Sequence, residues 1–167
     1  MAGLLLFVTV INADDDDFRI EKITAGFVYN FARLAAWRDL SEDKTIKVCV
    51  LANSNFIDIF QNLSGKKAVG RIIEVLEFSN NLIHQCQILF IDRLKESEFQ
   101  CQSLVENMNL LSISNIPNFA HNCGIIGLYE EGNQLRFEIN IDTVNKSKVR
   151  LSSHLYKLAR IIRNSPS

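Results

Sequence analysis

Apolar positions in this chain recur at two different spacings, which separates its expected helices from its expected strands. In KITAGFVYNFARLAAW (residues 22–37), Ile23, Phe27, Phe31 and Leu34 recur three or four apart. That spacing predicts a helix with one apolar face. Tyr29 and Trp37 lie off the stripe, so more than one side of this helix is expected to be covered, in a core or against a second subunit. Apolar-rich runs predict a short buried strand at IKVCVL (46–51) and further strands at RIIEVLEF (71–78), ILFI (88–91) and LLSIS (110–114). Between the first two, NFIDIFQNL (55–63) predicts a helix with Phe56, Ile59, Phe60 and Leu63 inward, stopped by Ser64-Gly65-Lys66-Lys67. Residues 95–107 read as a further helix. Pro117-Asn118 turns the chain, and GIIGLY (124–129) and QLRFEINI (134–141) are joined through Glu130-Glu131-Gly132-Asn133, a hairpin signal. Leu151, Leu155, Leu158 and Ile162 predict a closing helix over 153–163, with Ser152 or Ser153 as cap and Lys157, Arg160 and Arg163 toward its C-terminal end.

Alternation of strand and helix before residue 115 predicts an α/β fold: a mixed, mainly parallel sheet with an antiparallel edge hairpin and helices on both faces. A length of 167 residues with 47% hydrophobic and 22% charged side chains fits one domain with a substantial core. The 18 basic and 19 acidic residues are dispersed, so there is no basic block to neutralise a nucleic-acid backbone. No apolar run is long enough to span a bilayer.

The longest such run, Leu4 to Ile11, precedes Asn12-Ala13 and four aspartates, Asp14 to Asp17. A short apolar core ending at a small residue has the form of a secretory signal peptide over residues 1–13, although Met1-Ala2-Gly3 lacks the usual basic start. The domain then occupies 14–167, and the aspartates form a solvated new N-terminus. The other reading of residues 4–11 is an ordinary buried strand. In an exported chain Cys49, Cys86, Cys101 and Cys123 would be disulfides, with three complete pairings allowed. Cys49 and Cys86 lie at or in strands expected to be neighbours, which makes them the first choice, leaving Cys101 with Cys123. His84-x-Cys86 and His121-x-Cys123 contain the ligand types of a tetrahedral zinc site, but the pairs precede different apolar runs and no metal is expected.

Catalytic patterns fail on spacing. Gly65 to Arg71 has two glycines but leads into a strand, where a phosphate loop leads into a helix. Asp92 at the end of ILFI stands alone, without the further carboxylates that a phospho-acceptor site needs for magnesium. Ser152, Ser153 and His154 are adjacent in sequence and point in different directions on a helix. No catalytic residue and no cofactor is expected.

Taken together, YNFARLAAW, IKVCVLANSNF, CQILFIDR, LLSISNIPNFAHNCGIIGLYEEGNQLRFEIN and LSSHLYKLARII resemble the YfiR-like family of small periplasmic proteins over roughly residues 20–163. The resemblance implies a compact α/β sandwich and a non-enzymatic regulator that tends to dimerise. Its partner would be the periplasmic sensor part of a membrane diguanylate cyclase, inhibited by contact so that cyclic di-GMP output falls. It further implies possible sequestration by an outer-membrane lipoprotein, and it favours the Cys49–Cys86 pairing. The chain departs from the family's pattern at Arg38, where proline is common, at Cys123-Gly124, where Gly-Gly is usual, and at DTVNKSK (142–148), which is more polar than the usual Ala-rich helix. The alternative reading is a Rossmann-like small-molecule sensor or enzyme, with the polar turn Ala52 to Asn55 at a strand end as its site.

Strand alternation places part of a partner surface on residues 134–141. Leu135, Phe137, Ile139 and Ile141 are expected inward, leaving Arg136, Glu138 and Asn140 at a sheet edge to meet the partner.

Overall fold

The computed structural model describes residues 13–38, 40 and 44–164. The apolar stretch 4–11, expected as a signal-peptide core or a strand, lies outside them. The chain runs α1 (Ala13–Leu34), β1 (Ala35–Trp37), β2 (Thr45–Leu51), α2 (Ser54–Gln61), β3 (Lys67–Ala68), β4 (Arg71–Glu77) and β5 (Ile88–Ile91). It continues through α3 (Gln102–Val105), β6 (Leu111–Ser114), α4 (Phe119–Asn122), β7 (Ile126–Glu131), β8 (Gln134–Asn140), α5 (Ile141–Lys146), β9 (Val149–Leu151), α6 (Ser153–Leu158) and β10 (Arg160–Ile162). Single 3₁₀ segments at Asn80–Gln85 and Arg93–Glu98 flank β5.

Eight strands form one sheet in the order β10-β8-β7-β6-β5-β2-β4-β3, parallel except for the antiparallel pairs β7–β8 and β3–β4. The chain winds outward in both directions from the β2–β5 pair. Gly132 and Asn133 close the β7–β8 hairpin, with Glu131 opposite Gln134 and Gly132 at φ +61°, a backbone state open to glycine at the first central position of such a turn. A separate ribbon pairs β1 with β9 antiparallel.

Alternation along the central strands sends side chains to two cores. Ile46, Val48 and Val50 of β2, with Ile88 and Phe90 of β5, join α1 and α2 on one face. Cys49, Leu51, Leu89 and Ile91 pack on the other face against Ile83, Leu104, Ile116 and Phe119. Two sets of aromatic rings organise the first core: Phe56, Phe60 and Phe90, and Phe27, Phe31 and Phe137, with centroids 5.0–5.9 Å apart. Edge-to-face pairs at such distances add to the burial itself.

Four sequence expectations change. The first helix stops at Leu34, and Trp37 sits in β1 opposite Val149. The most buried side of α1 is Thr24, Ala25, Val28, Phe31 and Ala32, while Ile23, Phe27 and Leu34 are half-buried. Small residues there let the helix lie close to the sheet. The expected helix over 95–107 is a 3₁₀ turn followed by the four-residue α3. The expected closing helix ends at Leu158, Ala159 is extended, and residues 160–162 form β10. Pairing with β8 satisfies backbone groups that would otherwise lie open along an edge.

Candidate interaction surface

The residues singled out on β8 are held in a polar clasp. β10, not β8, forms this edge of the sheet, and α4 packs over this side of β8, so Glu138 and Asn140 are 4% and 1% exposed instead of facing solvent. Glu138 Oε2 accepts from Arg160 Nε at 3.0 Å and from Arg160 Nη2, and its Oε1 lies 3.7 Å from His121 Nε2. A Cβ on Gly127, its neighbour across the ladder, would stand 3.1 Å from Oε1, so the absence of a side chain there makes room for the carboxylate. The Arg160 guanidinium also stacks over the Tyr129 ring at 4.1 Å. The bond to Glu138 raises the Arg160 pKa above its ordinary value, so the guanidinium stays charged. Asn140 Nδ2 donates to Ala120 O and Asn164 Oδ1, both at 2.7 Å, and its Oδ1 accepts from the Asp142 and Thr143 amides, capping α5. Of the three residues, Arg136 alone is open to solvent, its side chain half exposed and 3.5 Å from Glu131.

On the other side of β8 from this clasp, on the α1 face, lies an apolar groove of about 420 Å³. Phe27, Phe31, Leu34, Phe137, Leu155 and Leu158 line it, and Asn30, Arg33 and His154 complete the lining with exposed polar side chains. Leu158 is 61% exposed, and Ile161 of β10 is 41% exposed. Ile161 pairs with buried Ile139, so it points to the same face of the sheet as the groove. Arg33 in the lining carries positive charge, whereas Arg160 is paired with Glu138 on the other face of the sheet and Arg163 lies 3.7 Å from Asp142. Sequence reasoning placed Leu158 on the apolar face of a closing helix and missed the groove. The signal for it was Phe27 and Leu34 on a helix already covered on its small-residue side.

The cysteines pair as Cys49–Cys86 and Cys101–Cys123, with Cα separations of 5.8 and 5.6 Å. Cys86 and Cys123 are therefore committed to different bonds, and the zinc reading loses its thiolates. Residues weighed as catalytic have structural work. The Asn53 side chain caps α2 by accepting from the Phe56 amide at 2.9 Å, so the polar turn after β2 is spent on helix initiation. Asp92 is buried and accepts from Asn115 Nδ2 at 3.0 Å. Ser152 precedes α6 without a side-chain capping bond, its buried Oγ lacking a partner among the described residues. His154 faces the groove instead of a serine.

A family profile described as YfiR/HmsC-like matches residues 21–160, which takes in the groove lining, the Glu138–Arg160 pair and both disulfides. The chain belongs to the YfiR/HmsC-like family. That family consists of periplasmic regulators in diguanylate-cyclase signalling, not enzymes. The two disulfides fit an exported member, and among the described residues no helix is long and apolar enough to cross a membrane. No curated protein matches the chain.

Proposed function

We propose that this YfiR/HmsC-like chain is exported to the periplasm, where it binds the sensor part of a membrane diguanylate cyclase and holds the cyclase inactive. The observation that carries this reading is the apolar groove between α1, β8 and α6, which continues to exposed Leu158 and Ile161 and has Arg33 in its lining. Exposed apolar surface rimmed by charge is the signature of a protein-binding face. Its electrostatics favour a partner presenting apolar side chains among carboxylates. In this reading Arg136 touches the partner directly. Glu138 and Asn140 act from beneath: Glu138 fixes Arg160, and Asn140 fixes the start of α5 and the chain after β10. A homodimer, and capture by an outer-membrane lipoprotein, belong to the same proposal because the family resemblance implies both.

The test is co-purification of the exported protein with a co-expressed cyclase sensor domain, together with cyclic di-GMP measured in cells. Leu158→Glu with Ile161→Glu changes only exposed side chains, so the melting temperature should move little. Capture should be lost and cyclic di-GMP should rise. Arg136→Glu should weaken capture less, since Arg136 lies on the opposite side of β8 from Phe137 and a charge outside the groove acts mainly on the association rate. Undiminished capture and repression by the double variant would place the surface elsewhere.

A further inference from the structure

We propose that the cavity beside the Cys101–Cys123 disulfide binds a small amphiphilic monoanion, a carboxylate carrying a short apolar tail. The cavity has a volume of about 340 Å³, lies on the sheet face opposite the groove, and has buried Leu104, Leu110 and Ile125 in its walls. That is within the range of ~300–1,000 Å³ typical of small-ligand sites. Val105 and Met108 also line it and are 69% and 49% exposed, apolar surface left to water in the free protein. An apolar tail would cover them, and the flexible Met108 thioether suits tails of varied shape.

The polar groups decide which end of the ligand goes where. Ser112 Oγ already accepts from the Ile125 amide at 3.0 Å, and the Asn140 side chain is spent on its four bonds within the clasp. The deep walls therefore offer a charged head no cation and only the Ser112 hydroxyl hydrogen as a donor. The one ionisable side chain in the lining is Lys146, exposed at the end of α5, and it attracts a single negative charge to the mouth. A nucleotide or other polyanion would need several such cations.

The site has a route to the partner face. Asn140 lines the cavity, its Nδ2 holds Asn164 after β10, and Glu138 two residues earlier holds Arg160 at the start of β10. A bound anion thereby biases the edge strand, a consequence that rests on the proposed function, whereas binding itself does not.

The experiment uses the oxidised, exported protein alone, with octanoate as probe and octanol and octyltrimethylammonium as controls. Binding is followed through the Met108 methyl and side-chain amide resonances by NMR. Octanoate should shift Met108 and Ile125 at millimolar concentration or below, octanol more weakly, and the cation not at all. Lys146→Glu should weaken octanoate binding about fivefold or more, as expected on reversing one exposed attraction. Val105→Trp, at an exposed position, should fill the mouth and abolish it. Absent shifts, equal affinity for octanoate and octanol, or an unchanged affinity in Lys146→Glu would each overturn the proposal. Because no cyclase is present, failure here leaves the repression assay above unaffected.

Discussion

On one face of the sheet, α1 with 22 residues and α2 with eight bury two sets of aromatic rings. On the other face, the layer consists of 3₁₀ segments of six residues and the four-residue α3 and α4, and both disulfides lie there. Isolated helices shorter than about 12–15 residues are marginal even with good sequences, so pieces this short hold their shape only through external restraint. The disulfides supply it: Cys49–Cys86 ties β2 to the segment before β5, and Cys101–Cys123 ties α3 to the end of α4. The first face is held by burial alone and the second by burial together with covalent closure. The disulfides of this second layer fit an oxidising compartment, in agreement with the family's periplasmic setting.

Cutting into the first face should have the largest effect. Phe90 is fully buried between the rings of Phe56 and Phe60. Phe90→Ala should cost about 3–5 kcal/mol in urea unfolding, the usual penalty for deleting a core aromatic ring. A cost below about 1 kcal/mol would mean that burial on this face is not what holds it.

The second face should respond to reductant, and its two bonds should respond differently. Removing either bond by paired alanine substitution should cost about 2–4 kcal/mol. The sequence separations of 37 and 22 make the chain-entropy contributions differ by only about 0.5 kcal/mol, so access decides which bond opens first. Cys49 and Cys86 are 0% and 4% exposed, whereas Cys101 is open to solvent. Mild reductant followed by alkylation and mass analysis should label Cys101 and Cys123 before Cys49 and Cys86. Simultaneous labelling, or the reverse order, would remove the distinction between a buried staple and an accessible one.

The same contrast explains what could be read from the sequence. β2 and β5 are legible because both faces of a central strand are buried, which leaves an apolar run with no polar interruption. The Phe56–Phe60 face of α2 is legible because its period holds over two turns and Asn53 caps it. Residues 95–107 are not, since a covalent bond between Cys101 and Cys123 organises them and local pattern carries no trace of it. β10 failed for another reason: Leu151, Leu155, Leu158 and Ile162 do keep helical spacing, but Glu138, distant in sequence, holds Arg160 in a strand. On β8, Glu138 and Asn140 do alternate with buried Phe137 and Ile139, but they are buried instead of open at an edge. The edge strand that bonds Glu138 lay 22 residues away, and no local signal announces it.

The smallest expected effect concerns what it costs to lay α1 on the first face. Glu21 has its pKa raised above the usual 4.5, first by burial and then by the negative charges of Asp92 and Asp17. A carboxyl whose folded pKa exceeds its unfolded pKa binds its proton more tightly in the folded state. Stability is then lost as pH rises from about 4.5 through the raised folded value, and it levels off above that. Glu21→Gln removes the titrating group and keeps the side chain's shape. It should raise the melting temperature slightly at neutral pH, and the gain should fade as the medium is acidified below the ordinary carboxylate pKa. The Phe90→Ala and disulfide variants should show no such pH-dependent difference from the parent. A gain for Glu21→Gln that persists unchanged in acid would mean that the side chain is disfavoured there for its shape or packing, and that α1 lies over the end of β5 without electrostatic cost.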